Sequence, residues 1–407
     1  MKLPAHALAI TGMGLHTSLG CGLDENWHKL INGHSGVREI MRFSTAHLPT
    51  KIAATVDLNL NGISRVSTLA ENVVQQILCM SPISKNLCAE SQIVIATTPA
   101  MEMLWQDRFT LSQHKNCEDP ESIYSYITCG HPFYFLQERY GFSKMPYFVN
   151  TACASGAHAI QLAAEQIHMG HTKIAMAIGL DACVEAETIA RFSLLSTLST
   201  ANDNPAAASK PFSLNRDGFV LGEGAGALML EDVEYAKARG ANILAYLIGY
   251  ADVTDNFHRT RSNPSGEKII ACMQKALDDA QITTTQVDYI NAHGTSTPEN
   301  DKMEGKSIQL LFGDHCQKLL ISSNKSMIGH TLSAAGTIEA VFSILTLQHQ
   351  LVPPTINYTQ PDPDILLNVV PNKAISTPVN IVLSNSFGFG GQNVSLIFAK
   401  DEISWKQ

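Results

Sequence analysis

Apolar and polar positions along this chain fall into two alternating patterns. Short β-branched runs read as buried strands: "ALAITGMG" from Ala7, "SQIVIATT" from Ser91, "TKIAMAIGLDA" from Thr172, "ILAYLIGYA" from Ile243, "QVDYINAHG" from Gln286, "LLISSNKS" from Leu319 and "VNIVLSNSFG" from Val379. Other segments carry a helical period. In "GEKIIACMQKALDDAQI", the apolar residues Ile269, Cys272, Met273, Ala276 and Leu277 follow the i, i+3, i+4, i+7, i+8 spacing of one helix face. "SAAGTIEAVFSILTLQHQ" is a second helix, which Pro353 and Pro354 are expected to stop. Apolar strands alternating with helices predict an α/β architecture with sheets covered on both faces. The pattern runs twice, giving halves 1–240 and 241–407. No linker rich in Pro, Gly or Ser follows "EYAKARGAN", so the halves are expected to pack closely. The stretch from Met101 to Pro132 has little periodicity and reads as an irregular insertion.

Composition narrows the classes. The chain has 407 residues, 45% hydrophobic and 16% charged, which is ordinary for a globular protein and argues against disorder. A formal net charge of −9 argues against general affinity for nucleic acid or anionic membranes. No apolar stretch is long enough to span a bilayer, and the N-terminus reads as a first strand, so a cytoplasmic setting is expected. Nine scattered cysteines suit free thiols in a reducing compartment. There is no CxxC and no Cys/His cluster at zinc spacing, so no metal is expected.

Four strand ends carry chemistry. In "FVNTACASGAHAI", Cys153 sits between a strand and an Ala-rich helix. It reads either as small apolar packing or as a nucleophile exposed at a helix N-terminus, where the dipole favours a thiolate. In "YINAHGTSTPENDKMEG", His293 follows a strand that ends at Asn291 or Ala292. Thr295, Thr297, Asp301 and Glu304 come next. In "ISSNKSMIGHTLSAAG", Lys325 and His330 follow another strand end, and Thr331 or Ser333 is placed to cap the next helix. In "LSNSFGFGGQNVSLIF", Gly388, Gly390 and Gly391 surround Phe389 between two strand-like runs. This reads either as a plain hairpin loop or as a source of backbone N–H groups for an oxyanion with Phe389 as a gate. "GMGLHTSLG" has Thr17 where a dinucleotide fingerprint needs its third Gly, and "GFVLGEGAGALML" reads as a turn feeding a buried strand.

In this order, "ITGMG", "TACASGAH", "SLNRDGFVLGEGAGALMLE", "NAHGTSTPENDKMEG", "SNKSMIGHTLSAAGTIEA" and "NSFGFGGQN" make the chain resemble the β-ketoacyl-acyl-carrier-protein synthases, particularly the second type of bacterial elongating synthase. The resemblance is nearly full length. It implies a thiolase-like five-layer αβαβα sandwich of two similar halves, associated as a homodimer or a heterodimer with a chain-length-factor-like subunit. It implies a decarboxylating condensation of an acyl thioester with malonyl-acyl-carrier protein, in fatty acid, polyketide or polyene synthesis. Cys153 is then the acyl-accepting nucleophile. His293 and His330 assist decarboxylation, and Lys325, paired with Glu304, organises the site. The backbone N–H groups of Cys153 and Phe389 form the oxyanion hole, Thr295 and Thr297 contact the carrier's phosphopantetheine arm, and the segment from Asp255 to Thr260, with His258, is a neighbouring mobile loop. No cofactor is implied beyond the arm that the carrier brings.

The chain departs from that pattern in places. "LSTANDNP" has Ala201 where an Arg associated with carrier docking is common, "GISRVSTLAENVV" keeps only Arg65 of a short basic cluster, and "TTPAMEMLWQDRF" lacks the usual glycines. Acyl carriers are acidic, so these losses point to a dedicated carrier, a partner subunit or a specialised pathway. Two other readings stand beside it: a non-catalytic chain-length-factor-like subunit, which the intact Cys153 opposes, and a thiolase acting on coenzyme A esters. The latter generally uses a second Cys near the C-terminus, whereas the last cysteine here is Cys316.

Overall fold

The structure, a computed structural model, describes residues 3–59, 64–98 and 131–401. The sequence segment read as an insertion lies outside these residues apart from its last two positions, which begin a helix at His131–Tyr140.

Ten strands form the sheet path. The first half supplies β1 (Leu8–Thr17), β2 (Gln92–Thr97), β3 (Tyr147–Val149), β4 (Ile174–Asp181) and β5 (Gly224–Asp232). The second supplies β6 (Ala245–Thr254), β7 (Tyr289–Asn291), β8 (Leu320–Ser322), β9 (Ile381–Phe387) and β10 (Gln392–Ala399). The order is β8-β7-β9-β10-β6-β1-β5-β4-β2-β3. The first half is thus β3-β2-β4-β5-β1, and the second repeats it as β8-β7-β9-β10-β6. Directions repeat too. β2 is parallel to β3 and β4, as β7 is to β8 and β9, while β5 and β10 run antiparallel to both of their neighbours. The halves join where β1 pairs with β6 over Leu8–Leu247, Ala9–Tyr246 and Ile10–Ala245.

Helices complete five layers. Helix α1 (Arg65–Met80) covers β1, β4 and β5 from outside. Helices α2 (Ser155–His168), α3 (Glu267–Asp279), α4 (Pro298–Phe312) and α5 (Ala335–His349) follow. α3 covers β6 and β10, with α4 against it, while α2 and α5 pack on each other between the two halves of the sheet. Helix α5 is buried at every position from Ala335 to Leu347, as expected of a predominantly apolar helix at the centre of the fold. It ends in left-handed Gln350, ahead of the two prolines expected to stop it. This is the thiolase-like sandwich. No helix among the described residues is long and apolar enough to cross a membrane.

The duplication extends to the elbows before α2 and α5. Each opens with a non-glycine residue in the left-handed region, Ala152 at φ 50° and Leu332 at φ 45°, followed by one turn of 3₁₀ helix. Cys153 and Ser333 therefore occupy equivalent positions. Three residues beyond each stands a glycine at the crossing of the helices. A Cβ on Gly156 would lie 2.8 Å from the Thr337 nitrogen, and one on Gly336 would lie 2.2 Å from the Ala157 nitrogen. Any side chain there would push the two elbows apart. Neither Thr331 nor Ser333 caps its helix, contrary to the sequence expectation. The Ser333 hydroxyl instead donates to the Asp181 carboxylate at 2.9 Å, an acceptor brought by the end of β4.

Candidate active site

The two elbows and the ends of β7, β8 and β9 surround a cavity of about 630 Å³. Cys153, His293 and His330 line it together with Phe387, Gly388, Phe389 and Gly391. Thr295, Thr297 and His258 line it as well. Residues far apart in the chain thus meet as their motifs suggested.

The thiol departs from its expected setting. Cys153 is only 7% exposed, and burial pushes its thiol up to about 11, opposed chiefly by the Lys325 charge and by the Phe389 backbone N–H that faces the sulfur. Desolvation thus outweighs the Lys325 charge and the Phe389 N–H at this thiol. At pH 7 the protonated thiol therefore dominates. Alkylation of Cys153 by iodoacetamide, followed by peptide mass spectrometry, is expected to accelerate about tenfold per pH unit toward a midpoint near 11. A plateau near pH 7 would show that the thiolate is already stabilised.

His293 and His330 meet edge to face, with ring centroids 5.3 Å apart. Burial holds both imidazoles well below the ordinary histidine range, and the Lys325 charge adds to this. Both are therefore neutral at pH 7. Lys325 lies behind His293, only 1% exposed, and its ammonium has three N–H bonds to place. It donates one to the Glu339 carboxylate, one to the His293 carbonyl oxygen at 2.7 Å and one toward His293 Nδ1 at 3.5 Å. An ammonium cannot accept, so Nδ1 must be the acceptor and the ring proton sits on Nε2. The lysine thereby fixes the tautomer of His293 and adds to the burial that keeps the ring uncharged. On the far side of His330, Phe219 packs edge to face at 5.3 Å.

The expected pairing of Lys325 with Glu304 is wrong. Glu304 accepts from the backbone N–H groups of His293 and Gly294, each at 2.8 Å, and from the Asn385 amide at 3.3 Å. It anchors the loop that carries His293 and does not line the cavity. Glu339, one turn into α5, is the true partner. It was missed although it is the only charged residue from Ala335 to Leu347, and an acid alone in an apolar helix signals a buried counter-ion.

The loop between β9 and β10 packs its backbone onto its neighbours. A Cβ on Gly388 would lie 2.6 Å from the Thr151 carbonyl oxygen, and one on Gly391 1.7 Å from that of Asp255. These close approaches bring the Phe389 N–H to the thiol. Gly390, expected at the substrate, lies outside the cavity lining and donates its N–H to the Arg259 carbonyl at 2.7 Å. At the mouth, the Thr295 and Thr297 hydroxyls are 2.8 Å apart, and Thr297 also caps α4. Exposed His258 accepts from the Thr260 N–H at 3.1 Å. Arg65, read as a remnant docking cation, is turned inward instead. It binds buried Glu223 at 2.8 Å, alongside Arg42.

Two family models match most of the chain. The N-terminal domain of β-ketoacyl synthases matches residues 5–97 and 135–236, and the C-terminal domain matches 244–359. The chain is 36% identical to a putative mitochondrial 3-oxoacyl-[acyl-carrier-protein] synthase of Schizosaccharomyces pombe, over 97% of this chain and 99% of that one. It is also 36% identical to 3-oxoacyl-[acyl-carrier-protein] synthase 2 of Coxiella burnetii, over 97% and 98%. Among solved structures, it superposes with a TM-score of 0.88 and 32% identity on a type II polyketide synthase acyl-carrier protein in complex with its ketosynthase bound to the hexaketide, covering 98% of this chain and 100% of that one. The ishigamide ketosynthase/chain length factor gives 0.86 and 30%, with the same coverage. The chain belongs to the β-ketoacyl synthase family of condensing acyltransferases.

Proposed function

We propose that the chain elongates acyl groups by decarboxylating condensation on an acyl carrier protein. The observation that carries this reading is a single cavity that holds a thiol, a facing backbone N–H and two neutral imidazoles. Cys153 Sγ attacks the acyl thioester carbonyl, the carrier's C–S bond breaks, and the proton of the Cys153 thiol passes to the departing carrier thiolate, which leaves as the thiol. The N–H groups of Cys153 and Phe389 stabilise the tetrahedral oxyanion. Malonyl thioester then occupies the cavity, with Thr295 and Thr297 on its phosphopantetheine arm. Its carboxylate leaves as carbon dioxide, and the electron pair forms an enolate whose oxygen accepts from His293 and His330. The enolate carbon attacks the acyl carbonyl, the C–S bond to Cys153 breaks, and the released thiolate takes a proton from solvent.

No cofactor enters this scheme beyond the arm that the carrier brings. Partnership as a homodimer or heterodimer is supported by β3, an edge strand with Tyr147 and Phe148 more than 40% exposed. The described cysteines are all free, which supports a reducing, cytoplasmic setting. Ala201 and the inward turn of Arg65 favour a specialised polyketide or polyene pathway over primary fatty acid synthesis. A clear preference for a standard fatty-acid carrier over pathway-specific carriers would refute that choice. Incubation with an acyl-carrier substrate is expected to add the acyl mass to the Cys153 peptide, followed by β-ketoacyl-carrier once malonyl-carrier is supplied. Equal acylation of Cys153→Ala would overturn the assignment.

A further inference from the structure

We infer that Arg259 and Arg261, on the loop after β6, form the cationic docking surface for an acidic carrier protein at the cavity mouth. This rests on the carrier-dependent reading above. Both residues are exposed and line the mouth of the cavity that holds Cys153, and neither guanidinium forms an ion pair with a described residue. The other positions where docking cations were expected are spent. Position 201 is Ala, and Arg65 is sequestered by buried Glu223. Of the other charged groups at the mouth, Glu299 is exposed and Lys302 is held by Asp364 at 2.8 Å, which leaves the two arginines as the free cations there.

Charge makes this surface matter. The chain's formal net charge is −9, so an acidic partner is repelled at long range unless a local positive patch directs it. The patch also has an apolar edge. Leu195, 52% exposed, lines the same mouth, with Leu194 beside it at 86%, and Phe257 is 52% exposed on the arginine loop. Arginine beside exposed apolar side chains is the composition of a protein-binding patch. The loop is held in place from within. The Asp255 carboxylate accepts from Phe257 N–H at 3.0 Å and Asn263 N–H at 2.8 Å, so the arginines stand on a braced turn.

The experiment compares an acyl group presented on an acidic carrier with the same acyl group on free pantetheine and on coenzyme A, read as acylation of Cys153. In Arg259→Glu/Arg261→Glu, the ratio of carrier to pantetheine kcat/KM is expected to fall at least about tenfold, while Arg259→Lys/Arg261→Lys retains most of it. The wild-type ratio should also decline between about 50 mM and about 500 mM salt, and this dependence should flatten in the Glu variant. Three outcomes overturn the proposal. An unchanged ratio and salt dependence would place docking elsewhere. Equal losses on carrier and pantetheine would make the loop a determinant of access. A loss shared by carrier and coenzyme A but not pantetheine would assign the arginines to the phosphate of the arm. Failure of wild-type protein to acylate Cys153 from any donor would instead refute the condensing reading itself.

Discussion

Replacing His293 or His330 with alanine is expected to lower malonyl decarboxylation about 10²–10³-fold, the usual loss when one preorganised donor to a developing oxyanion is removed. The geometry singles out this step. Both imidazoles are buried and neutral, so each offers an N–H without giving up a proton. An imidazolium would instead protonate the enolate and waste the carbanion. Low-dielectric surroundings make each such bond stronger than in water. Acylation of Cys153 should suffer far less, because its oxyanion relies on backbone N–H groups. Release of carbon dioxide from malonyl-carrier and the acyl mass on the Cys153 peptide measure the two steps separately. Undiminished decarboxylation in both variants would sink this assignment of roles.

Lys325→Met should destabilise the protein by about 3–5 kcal/mol, because it leaves Glu339 buried without its counter-ion. Both side chains are about 1% exposed, so water cannot take over. Burial already pushes the Glu339 carboxyl up to about 7, with Lys325 as the opposing influence. Removing the lysine therefore forces that carboxyl to take a proton or to pull water inward. Urea unfolding should show the lower midpoint. The double variant Lys325→Met/Glu339→Gln should recover part of the loss, since it removes the uncompensated charge. A purely structural lysine would alter stability alone. Here Lys325→Met should also slow alkylation of Cys153, because its charge is the main influence opposing burial at that thiol. Equal alkylation rates in folded wild type and variant would separate Lys325 from the nucleophile.

Much of the site was legible before the fold. Cys153, His293, Lys325, His330 and Phe389 each lie at or just after the end of an apolar run, and strand ends in α/β sheets are where ligands gather. The duplicated elbow was also written in the chain, as "TACASG" and "TLSAAG", but it shows only when the two segments are aligned on their equivalent strands. Glu339 was harder to read. The family resemblance implied Glu304, next to the His293 loop, whereas the lysine is reached from the neighbouring helix. Arg65 misled in the same way, since nothing local reveals that Glu223 waits beneath it.

Element type follows from short-range spacing, because a strand or helix needs only its own period to bury one face. The chain alone therefore carried the alternation of strands and helices, their repetition, and the residue types able to do thioester chemistry. Partner choice and protonation depend on groups brought together from distant segments and on how much water they exclude. Only the tertiary structure could decide that Lys325 holds Glu339, that His293 bears its proton on Nε2, and that the Cys153 thiol is buried. Burial and charge at a point in space are properties of the packed fold, and no local sequence window contains them.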